Sequence, residues 1–192
     1  MNLMDYTNLC HGKKEKRRDS EVNMEMNYSR EWKEFLEKKA EFESTSFYYN
    51  NNVEKNKKKN DLRKALEETD LLSQLSVVRM MGEGYIFTDS IELVLEEVVE
   101  IAITGHEECA GWAGIALNHL SKKKWKDKII ELINFYTDRN RDDNAVFHHS
   151  WLLLYKLGFK HALKEYIEKY KIYMEGELDN DDLSDIENMV ER

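Results

Sequence analysis

The chain has 192 residues, no proline, eight glycines and 35% charged residues, a length that suits one domain with an extension. Without proline a sandwich or barrel built on proline-marked turns is excluded, and no run approaches the ~18 apolar residues of a membrane span. The net charge is −9, split between +3 over residues 1–64 and −12 over residues 65–192. An acidic body works against phosphate backbones, which need Lys and Arg to displace counterions. It favours another protein, a basic one, as the partner.

Two cysteines, Cys10 and Cys109, are too few for a disulfide framework and read as reduced thiols. The first residues, MNLMDYTNLCHGKKEKRRDS, lack an apolar segment ahead of a small-residue cleavage site, which predicts a cytoplasmic protein. Residues 1–26 are polar, with a basic cluster at Lys13, Lys14, Lys16, Arg17 and Arg18. They read as a frayed terminus, or alternatively as an anion-binding arm.

Trp32, Phe35, Leu36 and Phe42 recur at helical spacing behind a capping Ser29, predicting a helix over 29–43. The stretch STSFYYNNNVEKNKKKN, residues 44–60, has no apolar period and reads as a linker, with Phe47, Tyr48 and Tyr49 tethering it. Residues 1–60 thus form a polar amino-terminal extension and residues 61–192 a helical-repeat domain. One helix is expected from Asp61 to about Met81, stopped by Gly82 and Gly84. Asp89 and Glu92 have capping-box spacing at the start of a helix to Thr104, with Leu93, Val94, Val98 and Ile101 as its buried stripe.

Residues 105–175 then write one helical hairpin twice. Leu120 falls on Leu157, Leu117 on Leu154, Ala116 on Leu153, Ala113 on Ser150, Cys109 on Val146 and Ile130 on Ile167, at a constant offset of 37 residues. The helices are expected at 106–121, 124–137, 144–157 and 159–174, with Gly158 as a left-handed cap. A fixed period of this length marks stacked helical units, each burying its stripe against its neighbours. Gly111 and Gly114 are small enough for neighbouring backbones to approach closely. The tail EGELDNDDLSDIENMVER holds eight acidic residues. Ser184 and Glu187 have capping-box spacing there, so the tail reads as a short cap on the last unit.

No catalytic signature is present. Gly82-Glu83-Gly84 lacks the third glycine and the strand of a phosphate loop. His148 and His149 point about 100° apart on a helix, and His106 with Cys109 is a pair without further ligands. No metal, no cofactor and no enzymatic activity are expected.

The side chains left over from the core carry more information. On helix 106–121 the arc opposite the buried stripe holds Glu107, Gly111, Gly114, Ile115 and Asn118. Carried forward by the offset, it becomes Asn144, His148, Trp151, Leu152 and Tyr155. Trp and Tyr are the usual anchors of protein interfaces. The expected partner-binding set is therefore His148, Trp151, Leu152, Tyr155, Asn118, Ile115, Glu107 and Glu108. The alternative is that this arc packs under another element. Trp112 and His149, on the flank, are expected to bridge adjacent units.

The segments HEECAGWAGIALNHL and DDNAVFHHSWLLLYKLG, each led by acidic residues or Asn (Glu107-Glu108 and Asp142-Asp143-Asn144), resemble HEAT-like α-solenoids over about residues 89–175. The resemblance implies an all-α fold, a short right-handed stack of antiparallel helical hairpins. It also implies a scaffold that binds partners along its inner helices. Some small bacterial members are immunity proteins that neutralise a toxin domain, and one branch comprises DNA glycosylases with a basic groove. The expected function is a protein-binding module, most concretely an immunity-type inhibitor of a basic toxin or nuclease. A nucleic-acid-binding or glycosylase-like protein and a non-inhibitory adaptor are the alternatives.

Overall fold

A computed structural model describes residues 28–67 and 70–174. The amino-terminal basic cluster, Cys10 and the acidic tail with its Ser184–Glu187 spacing lie outside the described residues. The chain divides into two compact units, Met1–Lys38 and Lys39–Arg192. Among the described residues every regular element is helical and none is a strand.

Helix α1 covers Arg30–Asn52. Ser29 caps it as expected, its hydroxyl accepting from the Trp32 N–H at 3.1 Å. The helix does not stop at residue 43, and most of the expected linker is helical. The asparagine run continues the helix because each side-chain amide donates to the carbonyl four residues back. Asn50 reaches Ser46, Asn51 reaches Phe47 and Asn52 reaches Tyr48, at 2.8, 2.8 and 3.0 Å. Helix α2, Lys55–Glu67, takes up the rest of the linker. Its Lys58 is buried and donates through Nζ to the Asn50 carbonyl. Of the three expected tethers, Tyr49 is half-buried against the core, whereas Phe47 and Tyr48 are exposed.

The single helix expected over 61–81 is two. Helix α3, Leu71–Gly82, starts afresh at Asp70, whose extended backbone and carboxylate cap it by accepting from the Ser73 N–H at 3.0 Å. The expected capping box at Asp89 also fails to form. A short helix α4, Thr88–Ile91, begins behind Phe87 without a side-chain cap and passes through a 3₁₀ turn at Glu92–Val94 into α5, Leu95–Thr104. Glu92 turns away to bond Lys124 and the Trp125 indole N–H, at 2.6 and 2.7 Å. Of the expected stripe, Val94, Val98 and Ile101 are buried and Leu93 is half-buried.

The remaining helices follow the expected pattern: α6 Glu107–Asn118, α7 Lys122–Arg139, α8 Asn144–Lys156 and α9 Lys160–Met174. Gly158 adopts φ +71° at the end of α8, the left-handed cap that only glycine reaches at no steric cost. The apolar register holds in burial as well as in spacing. Cys109 and Val146, Ala113 and Ser150, Ala116 and Leu153, Leu117 and Leu154, Leu120 and Leu157 are all buried, whereas in the sixth pair Ile167 is buried and Ile130 half-buried.

Helix α5 is the centre of the second unit. Leu95, Val98, Val99, Ile101, Ala102 and Ile103 are buried around its circumference, the signature of a helix enclosed by neighbours. It packs against α2, α6, α7 and α8, while α3 with α6 forms the most extensive helix pair and α8 pairs with α9. Gly82 makes the α3–α6 approach possible, because a Cβ there would sit 2.7 Å from Trp112 Cε3. Polar ties fix the other layers. The buried hydroxyls of Thr137, Ser150 and Tyr166 lie 3.0 and 3.3 Å apart where α7, α8 and α9 meet. Burial pushes the Tyr166 hydroxyl well above its ordinary range. Asp138 accepts from Tyr170 at 2.8 Å and Lys169 at 3.0 Å, joining α7 to α9. The Arg63 guanidinium donates to Glu97, joining α2 to α5.

Candidate functional site

The turn from α5 to α6 starts the site. Gly105 ends α5 with its N–H on the Ile101 carbonyl at 3.0 Å, and a Cβ there would overlap that carbonyl oxygen at 2.5 Å. His106 then caps α6, Nδ1 accepting from the Glu108 N–H at 3.4 Å. This use engages His106 Nδ1, and Cys109 is fully buried. Among the described residues no group of three His, Cys, Asp or Glu is placed to hold a metal ion.

From this turn α6 and α8 run side by side in loose contact, leaving a groove of about 680 Å³ between them. Its floor is Ala102, Ala110, Gly111, Gly114 and Leu153, and its walls are Glu107, Ala145, His148, His149, Leu152 and Lys156. A second depression of about 540 Å³ continues over α6 and shares His106, Glu107, Gly111 and Lys156 with the first, adding Glu108, Trp112 and Ile115. The two together form one continuous trough with an apolar floor and a charged rim.

The glycines do not act as expected. A Cβ on Gly111 would meet nothing within 4 Å, and one on Gly114 only Leu153 Cδ1 at 3.5 Å. They therefore leave the trough open instead of drawing two backbones together. Close approach occurs instead at Gly82 of α3, which abuts Trp112 and Ile115 of α6.

Of the expected binding set, Glu107, His148 and Leu152 line the groove and Glu108 and Ile115 line its continuation. Ile115 is 44% exposed. Asn118 and Tyr155 are exposed but line neither. Trp151 is half-buried, packs on the core and stands edge-on to His148 at 5.3 Å between ring centres. Its indole N–H is buried without a hydrogen-bond partner. Gly105, His106, Ala110, Ala145, His149 and Lys156 line the trough without having been singled out for it. The run Ala110-Gly111 with Gly114 was their visible signal.

Trp112 and His149 join α6 and α8 to helices outside the two repeated hairpins and not, in these contacts, the hairpins to each other. Trp112 lies beneath the Arg79 guanidinium, 5.6 Å from its ring centre, joining α6 to α3. His149 Nδ1 is 3.0 Å from the Ile103 carbonyl, joining α8 to α5, and His119 Nε2 is 2.8 Å from the Gly82 carbonyl.

The charge on the rim is asymmetric. Glu107 and Glu108 occupy the first turn of α6, where the helix dipole favours negative charge. Neither forms an ion pair among the described residues.

No known protein family, curated protein or solved structure matches this chain. The trough has to be read from its own chemistry. It offers apolar contact area, the carboxylates of Glu107 and Glu108 and imidazole edges. Those are means of holding a surface. No helix among the described residues is long and apolar enough to cross a membrane.

Proposed function

We propose that this chain is a protein-binding helical module whose docking face is the trough over α6 and α8. Most concretely, it is an immunity-type inhibitor that binds and neutralises a basic toxin or nuclease domain. In this reading α6–α7 and α8–α9 are successive hairpins of a short right-handed HEAT-like stack, and residues repeated at the offset of 37 share its inner side.

The observation that carries the reading is the trough itself. A cleft of this size suits an inserted side chain or a short segment of a partner. Its floor is apolar, and Ile115 and Leu152 supply contact area. Glu107 and Glu108 form no ion pair among the described residues, so they favour a partner that brings Lys or Arg. With residues 65–192 at −12, the surrounding field steers such a partner in, raising the association rate more than the final affinity.

The test is binding of a purified cognate toxin domain to the wild-type chain and to Glu107→Lys/Glu108→Lys. The reversal is expected to slow association by tenfold or more at low salt and to have less effect at high salt. Unchanged association at low salt would exclude the trough's rim from the docking face.

A further inference from the structure

Lysines follow the turns that lead into α2, α7 and α9. Lys55 opens α2, Lys122, Lys123 and Lys124 open α7, and Lys160 opens α9, with no acidic residue in the first turn of any of the three. The fold brings these starts together. Lys122 Nζ lies 3.8 Å from where a Cβ on Gly158 would stand, and Lys126 Nζ is 5.8 Å from the centre of the Phe159 ring, so α7 begins beside the α8–α9 turn. On its other side α7 reaches the 3₁₀ turn, where Lys124 and Trp125 bond Glu92. Helix α2 packs on that same turn, near enough for the Lys55 charge to act on Glu92.

Over residues 54–60, 121–128 and 158–164 the chain holds eleven lysines against two carboxylates, Glu54 and Asp127, although its net charge is −9. Part of that charge is used within the fold. Lys58 donates to the Asn50 carbonyl, Lys124 pairs with Glu92, and Lys128 pairs with Glu96 and Glu131. Lys55, Lys122, Lys123 and Lys160 are exposed and form no ion pair among the described residues. Gathering like charges works against the compact state, so the stability of the fold does not account for them. Carboxylates elsewhere on the chain do not cancel the cluster, because charges more than about 8 Å away are largely screened at physiological ionic strength.

The side chains also say which anion fits. Lysine meets a phosphate as a point charge, without the planar fork with which arginine reads base edges. In these segments Trp125 is half-buried and Phe159, Ala162 and Leu163 are buried. No exposed Trp, Tyr or Phe is left for an unpaired base to stack on, and no exposed apolar side chain is left to enter a bilayer. A duplex backbone asks for neither, and it carries one negative charge per ~1.7 Å of axis. We infer that this lysine-rich end of the bundle holds the phosphate backbone of a double-stranded nucleic acid, independently of base sequence. Lys55, Lys123 and Lys160 line neither depression of the trough, so the inference does not rest on the protein-docking reading.

Fluorescence anisotropy of short labelled duplexes with the full chain tests it, DNA in one arm and RNA in the other, between ~50 and ~200 mM salt. Binding in either arm is expected, with a logarithmic salt slope of about −4 for DNA, the release from four to five phosphates. Lys55→Gln/Lys123→Gln/Lys160→Gln, one exposed lysine from each helix, should bind at least about tenfold more weakly at the lower salt and lose roughly one unit of slope per lysine. Its circular dichroism should match the wild type, and the wild-type salt slope is a readout that needs no variant. A wild type that binds neither duplex overturns the inference, including the case in which phosphatidylserine vesicles capture it instead. Duplex binding as tight and as salt-dependent in the triple variant as in the wild type also overturns it, because the backbone is then held elsewhere on the chain.

Discussion

Two glycines, Gly111 on α6 and Gly82 on the α3 helix packed against it, should answer the same substitution with opposite signs. In Gly111→Ala the new methyl meets nothing within 4 Å. Replacing Gly by Ala inside a helix stabilises by roughly 0.5–1 kcal/mol, through the lost freedom of the unfolded chain. In Gly82→Ala the methyl lands 2.7 Å from Trp112 Cε3, 3.2 Å from the Trp112 carbonyl oxygen and 3.3 Å from Ile115 Cγ2. The backbone oxygen cannot retreat without moving α6, and the ring is held beneath Arg79. Overpacking of this kind costs about 1–3 kcal/mol, which exceeds the small propensity gain at the last residue of α3. The two variants should therefore differ by roughly 2 kcal/mol, or about 4–8 °C in Tm for a chain of this size. Urea denaturation followed by circular dichroism measures both. Equal midpoints, or Gly82→Ala as the more stable variant, would refute the close α3–α6 approach and the openness of the trough at Gly111.

Thr137→Val removes the hydroxyl that joins Ser150 and Tyr166 in the buried α7–α8–α9 seam, and urea melts should show a loss of about 1–3 kcal/mol. Trp151→Phe deletes an indole N–H that has no partner, whereas Trp125→Phe deletes one that donates to Glu92. The second should cost about 1 kcal/mol more than the first by the same melts, and a reversed order would contradict the bonding. Hydrogen bonds from Lys124 and Trp125 hold the Glu92 carboxyl below its ordinary range. The stability it contributes is present above the unfolded-state value and is lost as pH falls through the lowered folded-state one. Glu92→Gln should lower the urea midpoint at neutral pH and narrow its gap from the wild type below the carboxylate range.

The sequence made the second half of the chain legible because its signals were redundant there. Along α6 and α8 the apolar spacing, the repeat offset and the cap at Gly158 all agreed, and the same pairs are buried. The linker expectation failed because asparagines and lysines mark loops when they face water. Here the Asn50 amide is spent on the structure, donating to the Ser46 and Tyr85 carbonyls at 2.8 and 2.7 Å while its oxygen accepts from the Phe87 N–H at 2.9 Å. Such partners lie 35 and 37 residues away and leave no local trace. The capping-box spacing at Asp89 and Glu92 misled for the same reason, since Glu92 has better donors on α7.

At the site, the identity of the open arc was legible but its shape was not. Helical projection brought Glu107, Gly111 and Gly114 onto one side. It could not tell whether a neighbouring helix would fill the space beside the glycines, because that depends on the α6–α8 separation. It also placed Trp151 with Leu152, although α8 turns Trp151 toward the core and Leu152 toward the groove.

Filling the trough without disturbing the fold is the most direct trial of the docking face. Gly111→Leu places an isobutyl group into space that a Cβ meets without contact, and the chain should remain as stable as the wild type. Isothermal titration calorimetry against the purified basic toxin domain should then show affinity lowered by a hundredfold or more, about 3 kcal/mol. Undiminished affinity for a stably folded Gly111→Leu protein would mean that the partner docks elsewhere.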